Sequence, residues 1–241
     1  MEQNSDYSYQ NVVQLESSAS KKFMANIFLW MFAALGISAL CAFWFSTDIE
    51  LLQLLINTDT GRTTLLGKIA MFSPLAFVLL MSFGLNRLSY PVLTSLFVAY
   101  AALTGISLSF ILLVFTASSI FGCFITASLL FGVMAIAGYT TNQDLTKFGS
   151  ILFMLLIGIL IASVVNFFLN SSQLDYIISF VGVAIFVGLT AYDVQKLKRI
   201  SEGLEYGEAS SKKMIIMGAL TLYLDFLNMF LFLLRLFGGR K

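Results

Sequence analysis

Charged residues cut the chain into long apolar stretches. None falls between Lys22 and Asp48, which places a first membrane-length helix near Phe23–Phe45. A second lies between Lys68 and Arg87, near Ile69–Leu85. From Leu88 to Gln143 the chain carries no charge over 56 residues, too long for one crossing, which needs about 20 residues, and comfortable for two. Ser118-Ser119 is the expected break, giving spans near Val92–Thr116 and Ile120–Tyr139. A fifth span is predicted near Phe148–Leu169 and a sixth from about Tyr176 past Tyr192. The seventh is the run Met214–Leu234 (MIIMGALTLYLDFLNMFLFLL). The pattern predicts an all-α bundle of seven transmembrane helices, with no internal repeat.

Between these spans, Asp48–Asn57 (DIELLQLLIN) is short and amphipathic, the pattern of an interfacial helix. Lys196–Lys213 is the longest polar connection and is expected to be exposed. Residues 1–22 are polar and lack the basic start, apolar stretch and cleavage site of a signal peptide. They read as a solvated tail ahead of a transmembrane domain over 23–241.

Composition agrees. Apolar residues make up 59% of the 241 positions and charged residues 11%, with a mean hydropathy of +0.90. A soluble domain is nearer 45–50% and 25%. The net charge of +1 gives no reason to expect nucleic acid as a partner. Cys41 and Cys123 both sit inside apolar runs, where they read as packing residues. There is no histidine, so imidazole is excluded as metal ligand, general base or pH switch. Zinc and copper sites are disfavoured, while oxygen-ligated cations such as Ca²⁺ stay open.

Lysine and arginine set the orientation. With the N-terminus inside, the inner side receives Lys21, Lys22, Arg87, Lys147, Lys196, Lys198, Arg199, Lys212 and Lys213. The outer side receives Arg62, Lys68, Arg235, Arg240 and Lys241. Nine against five favours a cytoplasmic N-terminus. Small residues recur at four-residue spacing in Ala34, Ser38, Ala42; Ala101, Gly105, Ser109; Gly158, Ala162; and Ala184, Gly188. Such stripes allow close helix packing in lipid.

Two aspartates break the pattern. Asp225 lies near the centre of the seventh span, where a carboxylate costs roughly 2.5–3.5 kcal/mol on insertion scales. Asp193, in GLTAYDVQKLKRI, lies near the inner end of the sixth. Counted from Ile200 and Lys213, they sit roughly 10 Å and 18 Å deep at 1.5 Å per residue, so contact requires tilt or a shortened helix. Asp193 could instead pair with Lys196 at i+3, and Asp225 could hydrogen-bond near Asn228. If the carboxylates meet, two charges at ~4 Å and an effective dielectric near 20 repel by about 4 kcal/mol. Such a pair titrates as a unit: it holds one proton at mildly acidic pH and accepts a divalent cation when both members are ionised. Arg87, in FGLNRLSY at the inner end of the second span, is either a positive-inside anchor or a counter-charge for the pair.

GLTAYDVQKLKRI, followed about thirty positions later by ALTLYLDFLNMFLFLLRLFG, resembles the Bax inhibitor family, and TGISLSFI (Thr104–Ile111) looks like the same family's pattern. The resemblance implies a seven-helix bundle in which six helices surround the last. It also implies a Ca²⁺ leak controlled by a paired-aspartate pH sensor, with Asp193 and Asp225 as the pair and Arg87 as its partner. On this reading the ligands are the bilayer, protons and transiently bound Ca²⁺, with no tightly held cofactor. The protein is expected to be a monomer in a bacterial inner membrane. The alternative is a membrane regulator that binds other membrane proteins, such as proteases, through the polar tail. The motif contexts do not look like those of intramembrane aspartyl proteases, and an uphill proton-coupled transporter lacks the inverted repeat it would need. No enzyme activity is expected.

Overall fold

The computed structural model of the protein describes the backbone of residues 2–57, 62–84, 87–202 and 209–241. From residue 18 onward it also describes their side chains, except those of 75, 83 and 209. The helices are α1 (Glu2–Thr47), α2 (Ile49–Leu55), α3 (Leu65–Gly84), α4 (Tyr90–Val114), α5 (Ala117–Thr140), α6 (Thr146–Leu169), α7 (Ser172–Glu202) and α8 (Ala209–Phe237). All but α2 contain a stretch long and apolar enough to cross a membrane.

Two features differ from the sequence expectation, and the first helix starts early. Helix α1 runs through residues 2–22 into the first span without interruption. The break inside the uncharged stretch falls at Phe115-Thr116, because Thr116 caps α5 by accepting a hydrogen bond from the Ser119 amide. Ser118 and Ser119 therefore lie in the first turn of α5. The polar stretch Lys196–Lys213 is mostly helical, continuing α7 to Glu202 and opening α8 at Ala209. Leu197, Ser201 and Ser211 within it are buried, and 203–208 lie outside the described residues, as does Leu85 at the end of the second span. The short amphipathic element is present as α2. Asp48 caps it, accepting from the amides of Glu50 and Leu51.

The helices sort by burial. Of the most apolar stretch in each, 67% is buried in α8 and 6% in α6, so the last helix is central. Helices α1, α4, α5 and α7 flank it directly, whereas α3 packs on α4 and α2, and α6 packs on α7. Four helices rather than six thus form its immediate wall, with α3 and α6 outside. Two of the small-residue stripes meet each other. Ser38 Oγ on α1 donates to the Ala101 carbonyl on α4 at 2.7 Å, and a Cβ on Gly105 would collide with the Ser38 carbonyl. Gly158 faces open space and Ala184 is exposed. On α7 the close approaches include Gly188 against Leu152 of α6, Gly182 against Phe232, and Ala191, whose backbone leaves no room for a side chain on Gly138 of α5. Cys41 and Cys123 are free thiols.

Candidate functional site

Apolar side chains of α8 turn toward its four flanking helices. What remains is a stripe of partly exposed positions at alternating three- and four-residue steps: Met214, Met217, Thr221, Leu224, Asn228, Leu231 and the exposed Arg235. That is the spacing of a helix seam, and along it α6 stands off from α8. The gap is a cleft of about 700 Å³ walled by α6, α7 and α8. Its lining includes Asp193, Lys196 and Tyr192 from α7, with Asp225, Thr221 and Asn228 from α8.

The structure brings the two aspartates together. Their carboxyls, one from α7 and one from α8, border the same cleft and lie close enough to act on each other. Asp225 is 4% exposed, and its Oδ2 has no hydrogen-bond partner among the described residues. Asp193 is half-buried. The depth difference counted from the sequence does not separate them. Asn228 is no partner for Asp225: its Nδ2 donates to the Leu224 carbonyl of its own helix at 2.8 Å. Thr221 likewise donates to Met217, at 3.1 Å. Lys196 lines the cleft three residues from Asp193, with Nζ 5.9 Å from the centre of the Tyr192 ring. Arg87 is not brought to the pair. It is exposed in the turn after α3, is absent from the cleft lining, and joins no ion pair among the described residues.

Two carboxyls this close inside a low-dielectric wall cannot comfortably carry two charges. A shared proton, a bridging cation or the Lys196 ammonium in the same cleft would each relieve that repulsion. Among the described residues no third Asp, Glu, Cys or His joins them, and the other side-chain oxygens in the lining include those of Thr221 and Asn228.

The pair is held by features that the sequence reading overlooked. Gln195, two residues after Asp193, is buried and clamps the α5–α6 turn. Its Oε1 accepts from the Leu145 amide at 2.9 Å, and its Nε2 donates to the Gln143 carbonyl at 2.7 Å. Lys198 Nζ donates to the Tyr139 carbonyl at 3.0 Å. Arg199 Nη1 donates to Asp144 Oδ1 at 2.8 Å. Asp144 also accepts from the Thr146 hydroxyl and amide. Those Thr146 bonds, helped by Arg199, lower its carboxyl to about 2. Only the placement of Gln195 inside the aspartate motif could have signalled this clamp. On the opposite side of α8, Tyr223 is fully buried, its hydroxyl 2.7 Å from Ser38 Oγ and its ring edge-on to Tyr100 at 5.6 Å.

A second cleft, of about 780 Å³, opens at the other end of the same seam between α4, α6, α7 and α8. Leu160 on α6 and Asn228 on α8 line the first cleft, and Ser163 and Leu231 line the second. About one helical turn therefore separates them. Phe232 fills that level, its ring 6.0 Å from Phe186 of α7.

Comparison with known proteins gives one consistent result. The family described as "Inhibitor of apoptosis-promoting Bax1" matches residues 20–241. Inner membrane protein YbhL of Escherichia coli is 46% identical over 220 residues, covering 91% of this chain and 92% of the relative. An uncharacterized protein of Borreliella burgdorferi is 41% identical over 220 residues, covering 91% and 93%. Uncharacterized protein RP147 of Rickettsia prowazekii is 38% identical over 221 residues, covering 92% and 91%.

Proposed function

The chain belongs to the Bax inhibitor family, and from that premise we propose that it is a passive, pH-sensitive pathway for Ca²⁺ across a bacterial inner membrane. The observation that carries the reading is the close approach of Asp193 and Asp225 inside a cleft beside the central helix. Protonation of the pair removes the site for a divalent cation; loss of the proton creates it. Binding by two carboxylates is weak enough for release, as conduction requires. The turn beyond this cleft, with Leu231, Phe232 and Phe186, is the closed point. The bundle acts as a monomer, with its N-terminus in the cytoplasm as the lysine and arginine bias favours. Lys196 is the cation at hand in the cleft. Arg87 can serve as the counter-charge only if α3 shifts toward α7 and α8.

Ca²⁺ uptake into proteoliposomes, followed with an enclosed dye between pH 5 and 8, tests this. Wild-type protein is expected to give uptake that varies with pH, and Asp193→Asn/Asp225→Asn to lose that variation. Equal pH dependence in the variant would remove the aspartate pair from the mechanism. Absence of uptake by folded wild-type protein at every pH would move the reading to a regulator that binds other membrane proteins.

A further inference from the structure

The cleft at the far end of the seam does not suit a cation. Its charged lining is Arg235 and Arg240 against one carboxylate, Asp175. Arg235 Nη1 stands 3.9 Å from Asp175 Oδ1, at the outer limit of an ion pair, and its guanidinium lies 5.7 Å from the Phe232 ring centre. Arg240 is brought there by a strap. After α8 ends at Phe237, the chain turns back on the α4–α5 corner. The Thr116 amide donates to the Gly239 carbonyl at 3.0 Å, the Gly239 amide to Ser119 Oγ at 2.9 Å, and the Lys241 amide to the Val114 carbonyl at 2.9 Å. Arg240 forms an isolated β-bridge with Phe115. The chain beyond the central helix is thus tied so that a second guanidinium borders the same cleft as the first. An ordinary interfacial arginine needs no such tether, because it snorkels freely to water.

The rest of the lining is mixed: Ser163, Asn166, Asn170, Ser171 and Ser172 supply polar groups beside an apolar strip. Val114 at the end of α4, Phe115 just beyond it, Phe167 of α6 and Leu231 of α8 form that strip. Helices α4 and α6 do not pack against each other, so the slot lies between two helices whose outer faces carry large exposed apolar side chains such as Val114, Val164 and Phe167. A net positive rim beside an apolar strip complements an acyl chain headed by a phosphate. Planar guanidinium groups suit phosphate oxygens in particular.

We propose that this cleft is a binding site for an anionic phospholipid, with its phosphate on Arg235 and Arg240 and an acyl chain in the slot between α4 and α6. The inference does not depend on the Ca²⁺ reading. The test uses the full chain in an uncharged detergent, titrated with dioleoyl phosphatidylglycerol, dioleoyl phosphatidylcholine or inorganic phosphate. Lipid retention is read by native mass spectrometry and stability by thermal unfolding. Phosphatidylglycerol is expected to be retained and to raise the melting temperature, with the other two doing neither. Arg240→Gln, which leaves the backbone bonds of the strap in place, is expected to weaken retention about tenfold, the loss of one charge-assisted contact. Arg235→Gln should do the same. Equal retention of the two lipids, no retention of phosphatidylglycerol, equal protection by inorganic phosphate, or an Arg240→Gln variant that retains lipid like wild type would each overturn the proposal.

Discussion

Tyr223 and Asp225 are two residues apart on α8 and so face different neighbours, one turned to α1 and α4, the other to α7. Their consequences should separate cleanly. Tyr223→Phe removes the hydroxyl that bonds Ser38, while Ser38 keeps its bond to the Ala101 carbonyl. The expected cost is about 0.5–1.5 kcal/mol, visible as a lower melting temperature with the pH profile of Ca²⁺ uptake unchanged. Asp225→Asn should do the reverse, sparing the fold and abolishing the pH dependence. Outside the membrane spans, Asp144 makes a different statement about pH. Its carboxyl is held at about 2 by Thr146 and Arg199, below the usual value near 4. A depressed folded value means a contribution to stability that is present above pH 4 and lost as pH falls toward 2. Asp144→Asn should therefore melt below wild type at pH 6, and the difference should shrink as the scans are taken from pH 4 toward 2.

Among elements, the closest contacts are made where a side chain is missing. Gly138→Ala would drive a methyl group into the Ala191 backbone, forcing α5 and α7 apart two residues from Asp193. Overpacking of this kind costs about 1–3 kcal/mol, and thermal unfolding of the variant should show it. Gln195→Ala strips two hydrogen bonds from the α5–α6 turn. It should lower stability by about 1–3 kcal/mol without removing either aspartate. The sequence made half of this packing visible. Ala34-Ser38-Ala42 and Ala101-Gly105-Ser109 could be seen as stripes, and they do face one another. Gly158 and Ala184 have the same spacing but are exposed, while Ala162 and Gly188 of the same stripes pack inward. Spacing reports that a helix has a smooth face; it does not report which helix, or lipid, lies against it. Helix ends were legible only where the cap was local, as at Asp48. Ser118-Ser119 looked like a break, but the single hydroxyl of Thr116 sets the boundary.

For the whole molecule, hydrophobic length predicted seven spans, and the rarity of a buried carboxylate singled out α8 as the helix needing shelter. Both follow from the cost of exposing charge to hydrocarbon. The stagger that lets Asp193 meet Asp225 could not be counted from helix ends: Asp193 lies nine residues before the end of α7 and Asp225 sixteen after the start of α8, a wider difference than the sequence count, so the two helix ends do not lie at one level. Nor could the clefts be seen, since they arise from α6 standing away from α8. If the seam is the path, its closed turn controls it. Leu231→Ala should raise Ca²⁺ uptake at every pH while leaving the response to pH intact, as read in the same proteoliposomes. The arrangement of α6 also bears on how the protein is made. This helix is the most apolar of the seven, with a hydropathy of 2.7 against 1.8 for the span of α8, and it is the least sheltered. Synthesised before α7, its main neighbour, it must enter the bilayer with no protein surface to receive it, and its composition makes it self-sufficient there. The helix that carries Asp225 comes last, when the walls that will enclose it have already been delivered to the membrane.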